Sequence, residues 1–272
     1  SLNKKMFSTA NVPYKIKNNE KILKDPKNTI DFDHALHQKI MNDVIKIGTD
    51  ARLVLDQDQV VHVSMAEKLL VLQLSKLSNF IPDGGIWLNT QRPEWNDANN
   101  ALVGYGVSMV TLYYLNRHIS FINKVLADVN ETEFEISNEV FAWFKDAKKT
   151  YEKYSTTINE KLDAVKRKTF VRELQKLFSN YRQKTYNKSS SGENKIKVID
   201  IINFNNLVLA HFENSIKNNY KDSLYSAYNT INIDNSDKIN VTSLYSMLEG
   251  QVSALSSGKV EPKNAIKVLK AL

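Results

Sequence analysis

Apolar residues recur three and four positions apart through most of this chain, and that spacing predicts amphipathic helices. It predicts them over 33–47, 64–78, 101–128, 198–219, 241–255 and 262–272, with Asp33, Ser64, Thr242 and Glu261 near the starts as caps or first-turn acids. The clearest stripe is Val140, Phe144, Ala147, Tyr151 and Tyr154, which follows Ser137-Asn138-Glu139. Ile158, Leu162 and Val165, then Val171, Leu174 and Phe178, continue it after Ser155-Thr156-Thr157. The spacing nearly runs through that break, so one long helix is an alternative, but ordinary helix length favours a hairpin. Proline is absent between Pro93 and Pro262, and glycine between Gly106 and Gly192, so breakers are scarce where the pattern is strongest. Strand signals are confined to 52–55 and 60–63, read as one hairpin or irregular structure. The segment 186–194, with its Ser189-Ser190-Ser191-Gly192 run, reads as a polar surface loop. The expected fold class is all-α, built from successive helical hairpins.

Composition narrows the chemistry. The chain has 272 residues, 42% of them hydrophobic, and no Cys, which excludes disulfides, thiolate nucleophiles and Cys-ligated zinc. The formal charge of +7 invites a nucleic-acid reading, but only six of the 37 basic residues are Arg and the Lys are scattered among Asn, Asp and Glu. No nucleic-acid partner is therefore expected. The longest mostly apolar run, 101–115, is shorter than the ~20 residues that span a bilayer, so no membrane partner is expected either. The missing Cys, with no leader segment visible, favours a cytoplasmic location. Asp33, His34 and His37 lie close together but lack the further ligands of a zinc site, and no metal is expected. Phosphate loops, dinucleotide fingerprints and nucleophile elbows are absent.

One segment is dense in chemistry. Four of the thirteen Gly and Pro residues and two of the three Trp fall between Pro82 and Trp95, and 80–100 reads as a functional loop between helices. Its Asn, Gln, Asp, Glu and Arg side chains supply in-plane donors and acceptors for sugar hydroxyls, and Trp87 or Trp95 offers a face for a pyranose ring. The structural alternative has Trp95 in the core and Asp97 capping the next helix.

The run Glu94-Trp95-Asn96-Asp97-Ala98-Asn99-Asn100, followed by Gly104, Gly106 and Ser108, resembles the Asp-Trp-Asn-Asp-Gly signature of the cellobiose-phosphorylase-like enzymes. It departs at Glu94, where that family has Asp, and at Ala98, where it has Gly. The resemblance covers about twenty-five residues and implies an (α/α)6-barrel glycoside phosphorylase or hydrolase. It implies an α/α-toroid, a six-hairpin-like domain over 1–272 that belongs to a larger carbohydrate-active enzyme. About eight helices are legible against twelve in such a barrel, so either the barrel is incomplete or its other helices lie in further polypeptide.

By the same resemblance Asp97 is the general acid that protonates the glycosidic oxygen, and Arg92, Glu94, Trp95, Asn96, Asn99 and Asn100 bind the sugar around it. Inverting hydrolysis needs a second carboxylate ~6.5–9.5 Å away, and Glu249 is the candidate. Gly250 beside it suggests close approach of a ligand or another backbone. Leu224-Tyr225-Ser226-Ala227-Tyr228-Asn229 offers further stacking and amide contacts. No cofactor is expected; phosphorolysis would take inorganic phosphate as co-substrate. The expected function is cleavage of a glycosidic bond in an oligosaccharide or polysaccharide, by hydrolysis or phosphorolysis. The alternative is a non-catalytic helical module that binds glycan or protein.

Overall fold

A computed structural model describes residues 1–56, 59–90, 101–157, 161–186, 192–233 and 237–272. The fold is mixed α/β rather than all-α, and no α/α-toroid is present among the described residues. Its centre is a five-stranded antiparallel sheet built from β7 (Phe80–Ile81), β8 (Gly85–Trp87), β9 (Gly106–Ser108), β14 (Tyr228–Asn232) and β15 (Asn240–Ser243), in the order β15-β14-β9-β8-β7.

Most helices around this sheet follow the predicted stripes, but the predicted 101–128 helix runs only from Met109, because Gly106–Ser108 within it is strand β9. The helices are α1 (Asn19–Lys24), α2 (His34–Ile47), α3 (Met65–Leu77), α4 (Met109–Asp128), α5 (Asn138–Lys153), α6 (Ala164–Tyr186), α7 (Val198–Asn218), α8 (Leu248–Ser256) and α9 (Pro262–Ala271). Asp33, Ser64 and Ser108 cap α2, α3 and α4, their side-chain oxygens accepting the N–H groups of Leu36, Glu67 and Thr111 at 2.9, 3.2 and 3.0 Å. Glu261 precedes α9 without a capping hydrogen bond, and Pro262 opens that helix. The 138–178 pattern resolves into α5 and α6, separated by a 3-10 turn at Ser155–Thr157. Val165 is exposed, off the inner stripe expected for it.

The sheet departs from the predicted pattern for a definite reason. β7, β8 and β9 are two or three residues long and buried at every position, so they read as short apolar runs without alternation. The predicted helix 241–255 divides in the same way. Its first part is the edge strand β15, which contains Thr242, and only 248–256 is helical. Near the N-terminus β4 (Leu55–Asp56) pairs with β5 (Gln59–Val60), and β6 (His62–Ser64) pairs with β1 (Lys5–Ser8). Another two-stranded sheet joins β2 (Tyr14–Ile16) to β3 (Ile30–Phe32). In a further pair, β10 (Glu133–Ser137) lies against β11 (Glu193–Lys197), which occupies the end of the predicted 186–194 loop. A last short pair joins β12 (Tyr220–Lys221) to β13 (Leu224–Tyr225).

One apolar core runs from the sheet into the helices. Phe80 of β7 meets Phe212 of α7 edge-on at 5.1 Å, and Tyr151 of α5 packs against Phe170 of α6 at 5.3 Å. The β7–β8 turn is pinned to these helices by polar contacts. Asp83, with φ +64°, and Arg167 form an ion pair at 2.7 Å with side chains only 3% and 5% exposed. The Arg167 guanidinium also donates to the carbonyls of Pro82, Ile239 and Leu162 at 2.8, 2.9 and 2.6 Å. The other Asp83 oxygen accepts from Asn218 at 2.7 Å, so α6 and α7 are both tied to one sheet turn. No helix among the described residues is long and apolar enough to cross a membrane.

Candidate functional site

Arg92, Glu94, Trp95, Asn96, Asp97, Asn99 and Asn100 all lie outside the described residues. What the structure does define is the frame from which their segment springs. Residues 80–87 of the expected 80–100 loop are the β7–β8 hairpin. Beyond it the chain leaves the buried sheet after β8 and returns to it at β9. The Leu88 N–H donates to the Gly106 carbonyl at 2.9 Å, and the Gly104 N–H donates to the Leu88 carbonyl at 2.7 Å. The Trp87 indole N–H donates to Gly104 O at 3.1 Å, with the ring 2% exposed. Trp87 is therefore a core side chain that clamps the loop root, and of the two expected stacking rings only Trp95 is left for that role.

Buried amides fix the outgoing root. Asn89 donates to Asn79 Oδ1 at 2.7 Å, and Gln175 of α6 donates to the same oxygen at 2.6 Å and to Ser78 O at 2.7 Å. The Thr90 hydroxyl then donates to Asn89 Oδ1 at 3.2 Å. At the returning root, Gly104 has φ +90° and lies under the turn after α1. A Cβ there would stand 2.7 Å from Pro26 O, so only glycine permits the approach. Lys27 lies 5.9 Å from the ring centre of Tyr105, one residue on. The roots of the segment that carries Asp97 are thus held by α6 on one side and by the α1 turn on the other.

Glu249 lies in the first turn of α8, exposed, rather than mid-helix. The Tyr228 hydroxyl is 3.0 Å from each of its carboxylate oxygens, which fixes its direction. Tyr228 pairs with Ser108 and, two residues on, Thr230 pairs with Gly106 at the returning root. Two strand residues span about 7 Å, so the support of Glu249 is a neighbour of the loop root. A Cβ on Gly250 would stand 2.9 Å from Tyr225 O and from Ala227 N, so the close approach at that glycine is to another backbone. Within the Leu224–Asn229 run, Tyr225 and Tyr228 are buried and Asn229 donates to Gly84 O at 2.7 Å, so these three serve the core and the β7–β8 turn.

Two buried titratable groups have structural partners. Burial raises the pKa of Glu67, whose carboxylate accepts from the Ser137 N–H and hydroxyl at 3.1 and 2.7 Å. Burial pulls His211 down to about 4; its Nε2 faces Tyr151 O at 3.3 Å. His34 and His37 pack on Phe32, and no group of three or more His, Asp or Glu suited to a metal occurs among the described residues.

Sequence reasoning missed Asn79, Asn89 and Gln175. A signal for Gln175 was present, because Arg167, Gln175 and Arg182 interrupt the inner stripe of α6, where a polar residue needs a buried partner. The chain matches no protein-family model and no curated protein.

Proposed function

We propose that this chain belongs to a carbohydrate-active enzyme that cleaves a glycosidic bond, with Asp97 as the general acid. The observation that carries the reading is the run Glu94-Trp95-Asn96-Asp97 in a segment whose two ends are clamped into a buried sheet by Trp87, Asn89, Gln175 and Gly104. Functional side chains are commonly borne on loops that a rigid scaffold holds in place, and rigid roots limit the positional freedom that costs rate. The reading rests on this segment and not on a barrel.

In the proposed reaction the Asp97 carboxyl donates its proton to the glycosidic oxygen as the bond to the anomeric carbon breaks. Trp95 stacks on a sugar ring, while Arg92, Glu94, Asn96, Asn99 and Asn100 hold hydroxyl groups. In hydrolysis Glu249, directed by Tyr228, takes a proton from the attacking water. In phosphorolysis phosphate itself attacks and no base is required. The substrate is an oligosaccharide or polysaccharide. A cytoplasmic location belongs to the same reading, supported by the absence of Cys from 272 residues.

Asp97→Asn tests it. Turnover of an oligosaccharide panel is expected to fall by about 10²-fold or more while sugar binding persists. Dependence of turnover on added phosphate separates phosphorolysis from hydrolysis, and loss in Glu249→Gln is expected only for hydrolysis. A protein that binds glycans yet turns over none of them, with or without phosphate, overturns the enzymatic reading in favour of a binding module.

A further inference from the structure

The two elements that hold the roots of the Asp97 segment also form the walls of a separate cleft. It lies between α6 and the stretch from β2 through α1 and has a volume of about 860 Å³, within the range of small-molecule sites. α6 presents Gln175 to the outgoing root and, within one turn, Arg172 and Lys176 to the cleft. α1 presents Lys21 to the cleft, and the turn that follows it places Pro26 against Gly104.

The cleft is lined by five cations and three carboxylates. Two of the carboxylates are already engaged, Asp31 with Lys17 at 3.4 Å and Glu173 with Lys153. Glu20 is the third. Lys21, Arg172 and Lys176 are exposed and form no ion pair among the described residues.

A buried charge beside the cleft points the same way. Arg182 is 5% exposed, has no carboxylate partner among the described residues, and leaves its Nε without a hydrogen-bond acceptor. Its Nη2 donates to the carbonyl of Lys17, a cleft residue, at 3.1 Å, and its guanidinium lies 4.2 Å from the Phe178 ring centre. Buried charges are ordinarily paired, so an unpaired guanidinium against this wall adds positive potential where an anion would sit. Tyr186 also lines the cleft, its hydroxyl accepting the Ile16 N–H at 3.0 Å. A fixed aromatic ring among amides and cations is the equipment for a sugar that carries a charge.

We propose that this cleft binds the acidic part of the glycan, sugar units bearing carboxylate groups, through Lys21, Arg172 and Lys176, and so selects acidic oligosaccharides for the Asp97 segment. The proposal rests on the glycoside-cleavage reading for its choice of ligand. Arg172 and Lys176 are separated by four residues on one helix face, so they present two cations about 6 Å apart along the axis.

The test is calorimetric titration with short oligogalacturonides and with neutral cello-oligosaccharides of equal length. The native chain is expected to bind the acidic sugar at least tenfold tighter, with affinity that falls as salt rises. Arg172→Gln combined with Lys176→Gln is expected to weaken acidic-sugar binding by about tenfold or more and to leave neutral-sugar binding and the circular dichroism spectrum unchanged. Equal affinity for neutral and acidic sugars, an unchanged affinity in the double variant, or equally strong competition by polyglutamate or inorganic phosphate each overturns the proposal.

Asp97→Asn separates this proposal from the enzymatic one, because it is expected to retain acidic-sugar binding in full. If no glycan is turned over but binding of the acidic sugar depends on Arg172 and Lys176, the cleft stands and the enzyme reading falls. If neutral glycans are turned over independently of Arg172 and Lys176, the reverse holds.

Discussion

Arg167→Met is the most demanding test of how the scaffold is held. The substitution keeps much of the aliphatic stem and removes a guanidinium that makes four hydrogen bonds at 2.6 to 2.9 Å, all in the interior. Three carbonyls lose a donor, and the Asp83 carboxylate keeps only Asn218 at 2.7 Å and the Leu162 N–H at 3.1 Å. Removing one partner of a buried pair costs about 3–5 kcal/mol because the other charge stays desolvated, whereas an exposed pair is worth about 0–1 kcal/mol. With side chains 5% and 3% exposed, this pair belongs to the first class. Urea unfolding followed by tryptophan fluorescence is expected to show that loss, and the melting temperature should fall by roughly 10 °C. Asp83→Asn preserves shape and tolerates the left-handed backbone, yet it strands Arg167 and is expected to cost a similar amount. The double variant should lose less than the sum of the two by about 1–3 kcal/mol. A loss below about 1 kcal/mol for Arg167→Met would refute the claim that this pair fixes α6 and α7 to the sheet.

Two further outcomes are expected. His211 is 7% exposed, and its pKa falls from 6.5 to about 4 in the folded chain, so protons bind the unfolded state first. Its contribution, at most about 3 kcal/mol, is present above pH 6.5 and is lost as the pH falls toward 4; His211→Gln should flatten that part of the stability–pH curve, and an unchanged slope would exclude His211 as its source. Gln175→Leu removes donors to Ser78 O and Asn79 Oδ1 and should cost about 1–3 kcal/mol; under the proposed glycoside cleavage, kcat at temperatures where the variant is fully folded should fall because the loop root is freed, and an unchanged kcat would detach α6 from the proposed site.

The helices were legible because each buries one stripe against a common core and its polar flanks make the 3.6 period visible. Val140, Phe144, Ala147 and Tyr151 of α5 are all buried as their spacing required, and of the four predicted caps Asp33 and Ser64 do cap their helices, whereas Thr242 lies in a strand and Glu261 makes no capping hydrogen bond. The central sheet was not legible. Phe80-Ile81 and Gly85-Ile86-Trp87 look the same whether they end a helix or form strands, and the sheet they share is completed only by Tyr228–Asn232, which pairs with Gly106–Ser108 from more than a hundred residues away. The all-α expectation failed on that point, because pairing between distant short segments leaves no period to read.

The division at the candidate site follows the same physics. The sequence by itself determined which side chains are available: the polar and aromatic Glu94–Asn100 run, and no thiol anywhere in the chain. Only the tertiary structure decided that Trp87 is a clamp rather than a stacking platform, that Gly104 admits the Pro26 carbonyl, and that Glu249 is directed by Tyr228. It also decided that Lys21 of α1 and Arg172 of α6, 151 residues apart in the chain, share one cleft. Residue identity is local information, while burial, partnership and shared cavities depend on contacts between segments that the order of residues does not place side by side.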